Sequence, residues 1–148
     1  MIGVINVVVF PFPVGVTAPN FKPSINLIPL RFGDCSFAML CVRNIYENIL
    51  LTMPFGFGIN FITRIKSQNV FWLALAVGFT CEFTQLIISL IFKSAFRSVD
   101  INDVILNATG VLFGYGLFRI FGWLFGYVTD RFEIRHQTIF AYIDAVVR

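Results

Sequence analysis

Charge is scarce in this sequence. Asp, Glu, Lys and Arg together make up 13% of its 148 residues, about half the roughly 25% of an ordinary soluble domain. So few charges cannot cover a water-exposed surface, and the chain therefore needs another solvent. Histidine is almost missing: His136 stands alone in the tail. No HExxH, GxSxG or phosphate-loop pattern is present, so the metalloprotease, acyl-transfer and nucleotide chemistries that use them have no signature here. The three cysteines, Cys35, Cys41 and Cys81, form no CxxC and are too few for a disulfide framework. Nothing beyond proximity favours a Cys35–Cys41 pair, and Cys81 reads as packing inside an apolar run. No linker or internal repeat divides the chain, which reads as one domain over residues 1–148. The net charge of +3 comes from scattered Lys and Arg that flank apolar runs. That is ordinary membrane flanking rather than a nucleic-acid footprint.

What is present is apolar: 57% hydrophobic residues, 19 of them Phe, and a mean hydropathy of +0.82. A spanning helix needs about 20 mostly apolar residues, and three segments qualify. They are Ile45–Thr63 with Glu47 as its one charge, Val70–Phe92 with Glu82, and Val104 to Tyr127 with Arg119. Pro54 and Gly56 should kink the first. Ile2–Ala18 lacks charge but contains Pro11 and Pro13, and reads as a broken span or as a re-entrant or interfacial segment. No basic residue precedes it, so it does not read as a cleaved signal peptide. Thr129–Arg148 reads as a short amphipathic helix on the membrane surface, with Ile139, Ile143, Val146 and Val147 on one side and Arg135, Asp144 and Arg148 supplying polarity. The expectation is an all-α, polytopic transmembrane helical bundle with the lipid bilayer as its first partner. Arg64, Lys66, Arg131 and Arg135 fall on one side, and Lys22, Arg31, Arg43, Lys93 and Arg97 on the other, so positive charge does not decide orientation.

The polar residues inside these spans are ordered. In the second span, Gly78, Glu82, Gln85 and Ser89 share a helical face. Glu82 lies about 16 Å below the Lys93 end at 1.5 Å per residue, near mid-membrane. Asp100, Asp103, Asn107, Gly110 and Gly114 form a second stripe, and Asn44, Asn48 and Thr52 a third with Glu47 beside it. All three start from the same side of the membrane. They predict a polar cavity open to that face, with Glu82 at its floor and the Arg97 loop closing over it. An ionisable residue within the bilayer costs at least about 2.5 kcal/mol on insertion scales, so a partner, water or function must offset it.

Taken singly, these residues have structural readings. Gln85, Asn48 and Asn107 suit interhelical hydrogen bonds, Arg97 suits a surface pair with Asp100 or Asp103, and Gly110–Gly114 suits close helix packing. Taken together, at one depth and on one side, they predict a binding or catalytic site. Other patterns mislead. Asn107-Ala108-Thr109 matches a glycosylation sequon but lies inside a span. Gly114-Tyr115-Gly116 looks like a potassium filter without a re-entrant loop. Gly122 and Gly126 form another packing step.

Several of these strings resemble the VanZ-like family of bacterial membrane proteins. NLIPL at 26–30 is similar to the element that opens those domains, and NIYENILLTMPFG at 44–56 resembles the family's Asn…Asn…Pro-x-Gly helix. Glu82-Phe83-Thr84-Gln85 matches its E-x-x-Q. Arg97, Asp100, Asp103, Asn107 and Gly110 match its R-x-x-D-x-x-D-x-x-x-N-x-x-G. The resemblance covers about residues 26–118. Family members usually carry a full apolar helix before NLIPL, and Ile2–Ala18 is short and Pro-interrupted for it. The family is named after a protein conferring low-level resistance to the glycopeptide teicoplanin. The resemblance therefore implies a multi-pass protein of the bacterial cytoplasmic membrane with its polar cluster on the extracytoplasmic side. Two functions compete on these residues. In one, the protein lowers glycopeptide access by binding or altering an envelope component such as a lipid-linked precursor or teichoic acid, with Arg97 on an anionic headgroup and Asn48, Gln85 and Asn107 orienting it. In the other it is an intramembrane hydrolase or transferase, with Glu82 as general base and Asp100 and Asp103 as acid or as ligands to a hard cation. Two acids three residues apart do not by themselves define a metal or cofactor site. An ion pathway ranks below both, because no second buried acid continues from Glu82.

Overall fold

The computed structural model describes residues 25–30, 38–92, 99–132 and 138–147. Among these, nearly all residues are helical. Strand β1 is Ile25–Asn26 and helix α1 is Ala38–Ile62. Helix α2 is Ser67–Phe92, and strand β2 is Val99–Asp100. Helix α3 is Ile101–Phe132 and helix α4 is Thr138–Val147. The two short strands pair in parallel, Ile25 opposite Val99 and Asn26 opposite Asp100.

Helix α3 is the centre. Both α1 and α2 pack along its first half, and among the described residues they scarcely touch each other. Small residues allow the approach. A Cβ at Gly114 would collide with the Met53 carbonyl, one at Gly110 with Thr52 and the Ile49 carbonyl, and one at Gly78 with the Val104 carbonyl. The GxxxG step at Gly110 and Gly114 is therefore a helix contact, as its spacing predicts. On α2 the buried positions are Val70, Ala74, Gly78 and Glu82, four residues apart and on one face. At the far end, Phe57 and Phe61 of α1 meet Phe118 edge-on at centroid distances of 6.0 and 5.4 Å. Helix α4 closes this end, stacking Phe140 on Phe125 at 6.0 Å and donating a hydrogen bond from the Tyr142 hydroxyl to the Phe61 carbonyl.

The solvent question is answered by what faces out. Trp72 is 69% exposed and Phe83 63%, whereas Glu82 is 3% exposed. Polar and small residues fill the interior while large apolar ones cover the exterior, the reverse of a water-soluble domain. Among the described residues two helices, Ser67–Ile91 and Ile101–Phe132, are long and apolar enough to cross a membrane. Helix α1 has the length but is not one of them, because Glu47, Asn48 and Asn60 lower its apolarity. It also runs unbroken through Pro54 and begins before the expected Ile45. At the carboxy end the boundaries differ from expectation: Thr129 belongs to the last turn of α3, and the separate helix starts at Thr138. Its Ile143, Val146 and Val147 are partly covered, while Ile139 faces out. Ile2–Ala18, Cys35 and His136 lie outside the described residues.

Candidate functional site

The start of α3 is where the polar stripes meet. Asp100 caps the helix, its Oδ1 accepting the backbone N–H of Asn102 at 2.9 Å, as an N-cap acid should. The same carboxylate accepts the Asn26 side-chain amide through both oxygens at 3.1 Å. The Asp100 backbone N–H in turn donates to Glu82 Oε2 at 3.1 Å. That bond fixes the level of α3: it begins opposite Glu82, ten residues before the end of α2 at Phe92. At 1.5 Å per residue the drop is about 15 Å. A polar helix terminus at that depth must have its first N–H groups satisfied by protein, and Asp100 and Glu82 do so.

One turn further along, Asp103 joins α3 to α1. Its Oδ1 accepts amide hydrogens from Asn48 at 2.8 Å and from Asn44 at 3.0 Å. Below it, the Thr52 hydroxyl donates to the Asn107 carbonyl at 2.7 Å. Asn48, Glu82, Asp103 and Asn107 are all buried. The strand side is tied in as well, since the Leu30 N–H donates to Asn102 Oδ1 at 2.6 Å. Leu30 holds a left-handed backbone with φ of 62°, unusual for a branched residue, and this bond helps to keep it there.

Of the residues expected to form a site, Glu82 and Asp100 meet directly, and Asn48 meets Asp103. Gln85 lies almost a turn above Glu82 with its Oε1 buried and without a hydrogen-bond partner among the described residues. Asn107 is 0% exposed, and neither end of its carboxamide has a partner among the described residues. Such groups call for water or a ligand. Its enclosure also fits the reading of the Asn107 sequon as a helix contact. Arg97 lies outside the described residues. Glu47 turns away from the cluster and pairs with Arg43 at 2.6 Å, one helical turn before it. The Glu47 hydrogen bond and charge raise the Arg43 pKa above its ordinary value. Three participants were not assigned from sequence: Asn26, Asn44 and Asn102. Asn44 was visible on the Asn44–Asn48–Thr52 stripe, and Asn26 in NLIPL. Nothing in the pattern around Asn102 marks it.

The VanZ/LLP1 family model matches residues 1–125. The chain belongs to the VanZ/LLP1 family. No curated protein and no solved structure matches it significantly. For this VanZ/LLP1 chain, the match spans every residue of the polar cluster, from Asn26 to Asn107. With the apolar exterior, membership identifies it as a membrane protein. Chemically the cluster offers carboxylates and carboxamides on α1, α2, α3 and both strands. Among the described residues no group of three His, Cys, Asp or Glu is arranged to hold a metal ion.

Proposed function

We propose that this protein is a multi-pass protein of the bacterial cytoplasmic membrane that lowers susceptibility to glycopeptide antibiotics, teicoplanin among them. In this reading α1, α2 and α3 all cross the bilayer, and the start of α3 opens toward the extracytoplasmic side. The cluster binds an envelope component such as a lipid-linked precursor, with Arg97 on its anionic headgroup and Asn48, Gln85 and Asn107 orienting it by hydrogen bonds. The observation that carries this reading is the convergence of half-buried Asn26 and Asp100 with buried Asn48, Glu82 and Asp103 within the first turn of α3. They come from segments far apart in sequence, and the cost of burying them in a membrane requires an offset. Family membership supplies the link to glycopeptides.

Expression in a susceptible bacterium should raise the teicoplanin inhibitory concentration, and unchanged susceptibility at verified membrane levels would remove the reading. An enzyme that modifies a lipid or wall precursor is the second reading, supported by the burial of the Glu82 carboxylate beside the start of α3. Comparative analysis of envelope lipids and wall separates the two: a new chemical species marks the enzyme, and unchanged chemistry with altered drug binding marks the binder. Glu82→Gln should abolish catalysis, which needs a titrating acid, while binding tolerates the amide. Topology is checked by labelling Ser67→Cys and Ser98→Cys in intact cells, which should react from opposite sides.

A further inference from the structure

Asn107 of α3 is the most enclosed of the buried polar residues. It is 0% exposed, and among the described residues neither its Oδ1 nor its Nδ2 has a hydrogen-bond partner. Two rungs between α1 and α3 set its surroundings. In the upper rung the Asn48 amide donates to Asp103 Oδ1 at 2.8 Å, and in the lower the Thr52 hydroxyl donates to the Asn107 backbone carbonyl at 2.7 Å. From one rung to the next both helices advance by four residues. The two helices therefore run in the same direction there, and the rungs lie about 6 Å apart along the axis. Helical side chains lean toward the start of their helix, so the Asn107 carboxamide leans from the lower rung toward the upper one. Among the described residues no hydrogen bond joins α1 to α3 between these two levels.

A carboxamide in this position needs a partner. Buried polar groups are nearly always hydrogen-bonded, and within the hydrocarbon layer no bulk water makes up for a missing bond. The partner of Asn107 has two conditions to meet. It must accept from Nδ2 and also donate to Oδ1. An anion meets only the first need, and a metal ion only the second. It must also fit where the residue has no exposed surface, which excludes a lipid headgroup, a sugar or a side chain from another protein. Water meets both conditions. An internal water takes two to four polar partners, and the neighbours supply more than Asn107 alone. Buried Asn48 gives one N–H to Asp103, and its carboxamide also carries a carbonyl and a second N–H. The Asp103 carboxylate, one turn above Asn107, borders the same level.

We propose that Asn107 holds an internal water between the Asn48–Asp103 and Thr52–Asn107 rungs, and that this water joins it to Asn48. The water is bound whether or not the cluster holds a ligand, so the inference stands apart from the glycopeptide reading. When a ligand does enter the cluster, Asn107 acts on it through this water and not by touching it, as its lack of exposed surface requires.

The test is transfer of magnetisation from water to amides, read by solid-state NMR on the full chain in phosphatidylcholine bilayers. The Asn107 side-chain amide is assigned through its own Cβ. It should receive water magnetisation at a rate close to that of the exposed Asn69 side chain, and several-fold faster than the backbone amide of Ala74, which is 0% exposed. Asn107→Leu keeps the branched shape, adds bulk and removes the polar atoms, so it should expel the water. Transfer to the Asn48 side-chain amide should then fall several-fold with helicity unchanged. The measurement on the parent protein decides the first point without any variant. Transfer to Asn107 as slow as to Ala74 would overturn the proposal, since the carboxamide would then be dry. Unchanged transfer to Asn48 in folded Asn107→Leu would overturn it too, because water at Asn48 would then come from the mouth of the cluster.

Discussion

The two halves of α3 live in different surroundings. From Asn102 to Gly114 the helix lies between α1 and α2, and eight of its residues there are buried, among them Asp103 and Asn107. Beyond Gly114 the buried residues are Phe118 and Thr129, and Ile120, Trp123 and Tyr127 face out. Length and overall apolarity do not distinguish the halves. Side-chain size on the contact face does: Gly110 and Gly114 admit a neighbouring backbone, whereas Phe118 and Phe121 hold α1 off through aromatic contacts. Close backbone approach lets short polar side chains reach across and satisfy one another, and looser packing leaves a groove.

The largest effect should come from filling the tight half. Gly114→Leu forces a side chain into the Met53 carbonyl and should cost at least about 3 kcal/mol, above ordinary overpacking because backbone must move. Gly116→Ala, with nothing within 4 Å, should be neutral or stabilising by up to about 1 kcal/mol. Unfolding in detergent micelles measures both, and similar losses would erase the contrast between packed and open positions.

Removing the Asp103 acceptor comes next. Asp103→Leu strands the buried Asn48 amide, which alone should cost about 1–3 kcal/mol. The counterpart in the second half is Thr129, whose hydroxyl bonds within its own helix among the described residues, to the Phe125 and Gly126 carbonyls. Thr129→Val should therefore cost less than about 1 kcal/mol. A larger loss for Thr129→Val than for Asp103→Leu would reverse the ranking of the halves. Smaller again is Thr52→Val, which deletes one interhelical bond to the Asn107 carbonyl. A drop of about 0.6 kcal/mol is expected, the usual size for such bonds between membrane helices.

At the rim, Arg43→Gln should leave the melting temperature unchanged, because its pair with Glu47 is local and exposed. Its folded pKa is raised, so the stabilisation is present below the unfolded value and fades only as pH rises through the folded one. Both lie far above neutral pH, because arginine stays protonated in proteins. A melting curve from pH 6 to 9 should therefore show no contribution from Arg43.

Periodicity made much of this legible. The buried faces of α1, α2 and α3 follow the i, i+4 stripes through Asn48 and Thr52, Gly78 and Glu82, and Asp103, Asn107 and Gly110. The rise from Glu82 to the end of α2 was legible too, since only helix geometry is needed. What stayed hidden was the drop of the chain from Phe92 to Val99, which starts α3 opposite Glu82 rather than at the level of the end of α2. That offset depends on the pairing of Asn26 with Asp100 and of Leu30 with Asn102, residues 74 and 72 apart. No local pattern encodes contacts so distant. The extent of α1 was misjudged for a related reason: Asn44 and Asn48 look like a boundary in sequence, but they are turned toward Asp103 of α3.

The central claim is that the cluster at the start of α3 is kept for function and not only for packing. The direct test is teicoplanin susceptibility of cells carrying Asp103→Asn together with Glu82→Gln, at membrane levels and melting temperature matched to the parent protein. Both changes conserve volume and remove charge, and the side-chain carbonyl that Asp103→Asn retains can still accept from Asn44 and Asn48. The account predicts that resistance conferred by the parent is lost while the protein stays folded in the membrane. Full resistance from the folded double variant would contradict it.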